Sequence, residues 1–321
     1  MQSFYELTTA FEQYFAQHQF PKEPASLYEP CSYLLQMGGK RVRPVLCLMS
    51  HEMFAPINEN AWNTATAIEL FHNFTLMHDD IMDNAPLRRG NQTVHEKYSL
   101  STAILSGDVM NIFAYEHLNK VNTQYIHDVL AFFNKTAIEI CEGQQYDMDF
   151  EKRVEVSMDE YMHMITLKTS VLLGASLKLG AMLGGATDGC SGLLYDFGIH
   201  LGLAFQLKDD YLDTFGTTAA TGKQIGGDIL SNKKTYLLSK AFEVANDAQK
   251  EKLNALLVRN DVQKVNDMIA LYEELGVKES LQQEIVHYSN NALELLEKVP
   301  VVGKRKVHLQ ELANILLNRD K

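Results

Sequence analysis

Four scarcities bound this chain before any motif is read. It has 4 cysteines in 321 residues, at Cys31, Cys47, Cys141 and Cys190, far apart and without metal-type spacing. That excludes a disulfide framework or a zinc site and suits reduced thiols in a cytoplasmic protein. Positive charge is short: 29 Lys+Arg stand against 41 Asp+Glu, a formal charge of −12. A general nucleic-acid binder needs a basic surface to displace counterions, so that class is excluded. Long apolar runs are missing: the longest stretch without Asp, Glu, Lys or Arg runs only from Phe197 to Leu207. A membrane-spanning helix needs roughly 20 predominantly apolar residues, so none is expected. The N-terminus, MQSFYELTTAFEQ, has no basic cluster ahead of an apolar core and does not read as a secretory signal. With 46% hydrophobic and 22% charged residues the chain is not disordered.

Proline is scarce in a telling way. Six of the 7 lie at or before Pro86, the last is Pro300, and Leu87 to Val299 has none. Proline costs about 3 kcal/mol inside a helix, so the gap suits a helical body. Helical spacing recurs in Ala65, Ile68, Phe71, Phe74 and Leu76, and again in Val307, Leu309, Leu312, Ile315 and Leu316. No sustained alternation supports a sheet. The expectation is an all-α, single-domain bundle over 1–321. Breaks are expected at Phe20–Pro30, Phe54–Asn60, Gly184–Gly192 and Thr214–Gly227, the last long enough to be functional.

What is abundant is a doubled acidic motif. LMHDDIMD (76–83) and QLKDDYLD (206–213) each contain D-D-x-x-D: Asp79, Asp80 and Asp83, then Asp209, Asp210 and Asp213. On a helix, positions i and i+4 share a face, so Asp79 with Asp83 and Asp209 with Asp213 each present paired carboxylates. Like charges there destabilise an isolated helix by about 0.2–0.5 kcal/mol, which a bound cation relieves. Carboxylate oxygens suit Mg²⁺ or Mn²⁺, and Mg²⁺ is commonly shared with a phosphate-bearing substrate. The bland reading is a solvated acidic helix face, which does not account for the repetition. Cations flank both motifs: Lys40, Arg41 and Arg43 behind Gly38-Gly39, Arg88 and Arg89 after the first, Lys223, Lys233 and Lys234 after the second. They suggest a phosphorylated ligand gripped by metal and by Arg and Lys together.

At this point the chain resembles the trans-isoprenyl diphosphate synthases of the polyprenyl synthetase family. The resemblance rests on GGKRVRP (38–44), AIELFHNFTLMHDDIMDNAPLRRG (67–90), SGDVMN (106–111), GQQYDM (143–148), LKTS (167–170), LAFQLKDDYLDTFG (203–216) and GKQIGGDILSNKKT (222–235), in that order. It implies a helical bundle around a deep central cavity, a homodimer, and three Mg²⁺ between the aspartate motifs. Asp79, Asp83 and Asp209 would bind metal, with Asp80, Asp210 and Asp213 in support. Arg88, Lys168 and Lys223 would hold an allylic diphosphate, with Lys233 adding charge. Lys40, Arg43, His72 and Arg89 would bind isopentenyl diphosphate, and Thr169 and Gln206 would lie beside the reacting carbons. The implied reaction ionises the allylic C–O bond, adds the isopentenyl double bond to the cation and loses a proton to the departed diphosphate. Water must be kept out.

Some residues invite blander readings. His78 and Gly107-Asp108 read as packing positions, and the 13 methionines as cavity filler. Phe74, five before Asp79, is the expected floor of the product tunnel, with Ile112 or Phe113 adjusting its depth. Thr75 is small, and the first motif has no two-residue insertion. A product of fifteen to twenty carbons follows, twenty slightly ahead. The alternatives are a longer-chain synthase, or a non-catalytic subunit of a heteromeric synthase, which should have lost an aspartate motif. A class I terpene cyclase would carry an N-S-E-type second motif, and a metal-dependent phosphohydrolase would need further His/Asp ligands.

Overall fold

A computed structural model describes residues 1–17, 19–216, 226–261 and 263–317. Of the described residues, 77% are helical. The helices are α1 (Phe4–Phe15), α2 (Ala25–Gln36), α3 (Val42–Glu52), α4 (Glu59–Met82), α5 (Val94–Lys97), α6 (Leu100–Leu118), α7 (Thr123–Glu151), α8 (Met158–Ile165), α9 (Val171–Leu183) and α10 (Asp188–Phe215). After them come α11 (Gly227–Leu230), α12 (Tyr236–Val244), α13 (Asp247–Leu257), α14 (Gln263–Glu274), α15 (Val277–Lys298) and α16 (Val307–Leu317). Their starts follow local chemistry. Ser3, Ser157 and Asn246 form capping boxes, and Asn58, Ser99 and Thr235 accept from first-turn N–H groups.

Packing divides the chain into two compact units. One comprises Met1–Asn134, Ala175–Tyr195 and Pro300–Leu309; the other Lys135–Gly174, Asp196–Val299 and Gln310–Lys321. In the first, α4 packs against α6 and α3. Its buried residues run almost without interruption from Asn60 to Phe71, so α4 is covered on all sides there, not on one stripe. In the second, Phe150, Tyr161, Leu207, Tyr236, Leu237, Phe242, Leu271 and Leu281 belong to one core.

Several expectations are corrected. The break at Phe20–Pro30 ends at Pro24, the N-cap of α2, and Pro30 lies buried inside that helix. Burial holds it there against the loss of one backbone hydrogen bond. Asp188–Gly192 belong to α10, so the glycine-rich break is confined to 184–187. Thr214 and Phe215 complete α10, and residues 217–225 of that expected break lie outside the described residues. A small antiparallel hairpin, β1 (Leu87–Arg88) with β2 (Asn91–Gln92), escaped the sequence reading because two-residue strands carry no period. The stretch Met158–Leu183 is long and apolar enough to cross a membrane by length and composition alone, and 78% of its window is buried in protein, as in a core helix. All four cysteines are free thiols.

Candidate active site

In the first unit, α4 delivers the first acidic motif at its C-terminal end. Asp79 is partly buried, Asp83 is the exposed C-cap, and Asp80 is 2% exposed. The Asp80 carboxylate accepts a hydrogen bond from Arg88 Nε at 2.8 Å. Arg88 is set by the hairpin. The hairpin's turn puts Arg89 (φ 52°) and Gly90 (φ 78°) in left-handed conformations, as a type I′ turn requires. Arg41, at φ 50°, is a second left-handed arginine. Such conformations cost an L-residue about 1–3 kcal/mol and cluster at functional sites.

These arginines surround His72. Arg43 Nη1 donates to His72 Nε2 at 3.1 Å. Burial, and then Arg43, Arg89, Arg88 and Arg41 in turn, hold the His72 pKa well below the usual imidazole value, so the ring is a neutral acceptor. Burial lowers Arg43 to about 10, against the opposing pull of Glu69; it remains a cation at neutral pH. Burial and the neighbouring Arg88 and Arg41 lower Arg89 as well. Arg41 forms a buried ion pair with Glu69 at 2.5 Å, and Glu69 also accepts from Asn73 at 3.0 Å. Glycine is required at Gly39 (φ 154°), where a Cβ would stand 3.1 Å from the Arg89 guanidinium. Lys40 beside it is exposed. The fold thus gathers Arg43, His72, Arg88 and Arg89 around one cationic centre with a glycine wall.

In the second unit, α10 carries the second motif and the same division of labour appears. Asp210 is 4% exposed, and its Oδ2 accepts from Tyr161 Oη at 2.6 Å and from the Tyr236 backbone N–H at 2.9 Å. Burial raises Asp210 to about 7, opposed by Tyr161's hydrogen bond, reinforced by Asp228, and lowered again by Tyr236 and Lys233. Gln206 donates to Asp210 Oδ1 at 3.3 Å and accepts from Thr169 Oγ1 at 3.2 Å. Asp209 and Asp213 are partly buried, and Asp213 accepts from the Asp228 N–H at 3.0 Å. Lys233 is exposed. Lys223 lies outside the described residues.

Lys168 and Thr169 sit on a single π-helical turn, Thr166–Ser170, between α8 and α9. Such turns are frequent at functional sites. Two glycines admit it: a Cβ on Gly143 would lie 2.3 Å from the Lys168 amide nitrogen, and one on Gly202 2.7 Å from Ser170 Cα. Lys168 Nζ pairs with Asp147 at 2.5 Å.

The residues missed by the sequence reading are therefore Glu69, Asp147 and Tyr161. Glu69 and Asp147 stand inside the family motifs, but their partners lie too far along the chain to be read. Phe74 is partly buried, with its ring 5.6 Å from Phe71 and 4.8 Å from His78. Phe113 packs edge-on against Phe20 and Tyr28 instead, and Ile112 is 60% exposed. A cavity of about 800 Å³ in the second unit, lined by Arg153, Ser157, Tyr236 and Glu284 among others, contains none of the expected site residues.

The donor set fits a hard divalent cation. In each motif the middle carboxylate is buried and bonded, while the outer ones are more exposed oxygen donors. Among the described residues no group of three His, Cys, Asp or Glu forms a ready-made cage. Mg²⁺ suits such a site, because it keeps waters and shares substrate phosphates.

Comparison with known proteins defines the class. The polyprenyl synthetase family model matches residues 24–275. A short chain isoprenyl diphosphate synthase of Methanothermobacter thermautotrophicus is 37% identical over 298 residues, covering 92% of this chain and 91% of that one. A geranylgeranyl pyrophosphate synthase of Geoglobus acetivorans is 36% identical over 304 residues, covering 93% and 92%. A crystal structure of a geranylgeranyl pyrophosphate synthase superposes with a TM-score of 0.95 at 42% identity, covering 100% of both chains. The chain belongs to the polyprenyl synthetase family and is a trans-prenyltransferase of isoprenoid biosynthesis.

Proposed function

We propose that the protein is a Mg²⁺-dependent enzyme that condenses isopentenyl diphosphate with an allylic diphosphate, giving a trans product of fifteen to twenty carbons, twenty favoured. The whole chain, 1–321, acts as one catalytic domain, in a cytoplasmic homodimer. The continuous family match through both units supports the single domain. The observation that carries the reading is the shared design of the two acidic motifs, each with its middle aspartate buried and hydrogen-bonded.

Asp79, Asp83 and Asp209 hold the metal, three Mg²⁺ with Mn²⁺ as a substitute. When bound, the metal supplies Lewis-acid stabilisation of the charge that develops on the departing diphosphate. Asp80, Asp210 and Asp213 add charge and hold the motifs in place. Arg88, Lys168 and Lys223, with Lys233, bind the allylic diphosphate as preorganised cations. Lys40, Arg43, His72 and Arg89 take the isopentenyl diphosphate. A neutral His72 accepts one Arg43 N–H and leaves the other donors of that guanidinium for phosphate oxygens. Thr169 and Gln206, joined to Asp210, line the reacting carbons.

The test is incubation with isopentenyl diphosphate, Mg²⁺ and five-, ten- or fifteen-carbon allylic primers in turn, with products sized by chromatography. A twenty-carbon product is expected, abolished by chelator and restored by Mg²⁺ or Mn²⁺. Products beyond twenty carbons would favour the longer-chain reading, and no turnover on any primer the non-catalytic subunit.

A further inference from the structure

The packing behind Phe74 bears on product length. His78 follows Phe74 by one helical turn on α4, so the two share a face. Its ring meets Phe74 edge-on at 4.8 Å. Its Nε2 lies 3.1 Å from the backbone oxygen of Ile104 on α6. A carbonyl oxygen can only accept, so this contact fixes the proton on Nε2. Asp108 Oδ1 stands 3.8 Å from the same nitrogen.

Helix α6 makes room for this ring. A Cβ on Gly107 would fall 2.3 Å from His78 Nε2 and 2.5 Å from Cδ2, so no other residue admits the imidazole where it stands. The imidazole is therefore clamped by the α6 backbone and by the Phe74 ring. Phe71 flanks Phe74 at 5.6 Å and is itself packed edge-on against Phe133 at 5.2 Å. The Phe74 ring thus meets two other rings, His78 and Phe71, and turning it toward another rotamer would break both contacts. Without the imidazole, the space opened at Gly107 would let it swing aside.

We propose that His78 is a positioning residue for chain-length control: seated against Gly107 and hydrogen-bonded to Ile104, it braces Phe74 so that elongation stops. This rests on the reading of Phe74 as the floor of the product site. It assigns His78 and Gly107, which touch no reacting atom, a part in specificity.

The experiment compares the ratio of twenty-five-carbon to twenty-carbon product in the wild type, Phe74→Ala, His78→Ala, the double variant and Gly107→Ala. A ratio does not depend on how much enzyme is folded, so a slower His78 variant still reports. His78→Ala is expected to raise the ratio about tenfold, the scale on which a hydrophobic pocket discriminates by a small group. Phe74→Ala is expected to raise it at least as much, and the double variant no further, because both act through one ring. Gly107→Ala, which alters α6 alone, is expected to displace the imidazole and change the ratio. If Phe74→Ala lengthens the product while His78→Ala and Gly107→Ala leave the wild-type ratio, the brace is overturned and the floor stands. Additive effects in the double variant would also overturn it, since His78 would then act separately from Phe74. An unchanged ratio in every variant would remove floor and brace together, and a wild type that condenses no primer would instead remove the transferase reading.

Discussion

His72 is the residue whose behaviour the surroundings alter most legibly. Its pKa in the folded chain is depressed by burial and by four arginines, against an ordinary value of 6.5. Between those values the unfolded chain binds a proton that the folded chain refuses. The stability this contributes is therefore present above pH 6.5 and is lost as pH falls below it, by up to about 1.4 kcal/mol per pH unit. His72→Gln keeps a neutral acceptor for Arg43 and should flatten this part of the pH profile between 5.5 and 7. Urea titrations of both proteins at several pH values test it, and identical slopes would sink the assignment. Tyr161 allows a second measurement. Its hydroxyl donates to the buried Asp210 at 2.6 Å. Tyr161→Phe removes that donor and should destabilise the protein by about 1–3 kcal/mol, with a drop in turnover. Unchanged stability and turnover would show the contact to be idle. Tyr161 and Asp210, 49 residues apart, were not legible as a pair, and Arg43 and His72, 29 apart, were brought to one site by the family resemblance and not by spacing. The aspartates themselves were legible, since their meaning lies in local spacing.

Among the elements, long helices were readable from periodicity and from the proline gap. The hairpin and the π turn were not. The hairpin is too short for alternation, and its turn places an arginine where glycine or asparagine is usual. The π turn leaves no compositional mark, since its residues TLKTS read as ordinary helix. What marks it is Gly143 on α7, directly against the Lys168 backbone. Gly143→Ala should force the two chain segments apart, costing about 1–3 kcal/mol in denaturation midpoint terms, and should lower kcat because Lys168 and Thr169 move with the turn. Wild-type kcat together with wild-type stability would mean that the close approach is dispensable.

At the level of the whole molecule, helix α6 presents Leu105 at 59% and Ile112 at 60% exposure, seven residues apart and so on one face, with Ile104 nearby at 41%. These exposed apolar side chains make α6 the candidate interface of the proposed homodimer. A homodimer through this face is the expectation. Ile112→Glu should convert it to a monomer in sedimentation analysis, whereas an unchanged dimer would move the interface elsewhere. The oligomeric expectation came from resemblance alone. Sequence periodicity could not supply it, because α6 is apolar on several sides and its outward face is visible only once the fold is known.

The π turn also constrains how this gene can vary. Such a turn holds one residue more than a regular helix of the same span. A single codon lost between 166 and 170 would let α8 run straight into α9 as ordinary helix, keeping both flanks in register but removing the widened turn that carries Lys168 and Thr169. Gly143 and Gly202 would then lie against a regular turn although neither had changed. Point substitutions are thus the tolerable currency of drift in this stretch, and length is the quantity that selection must guard.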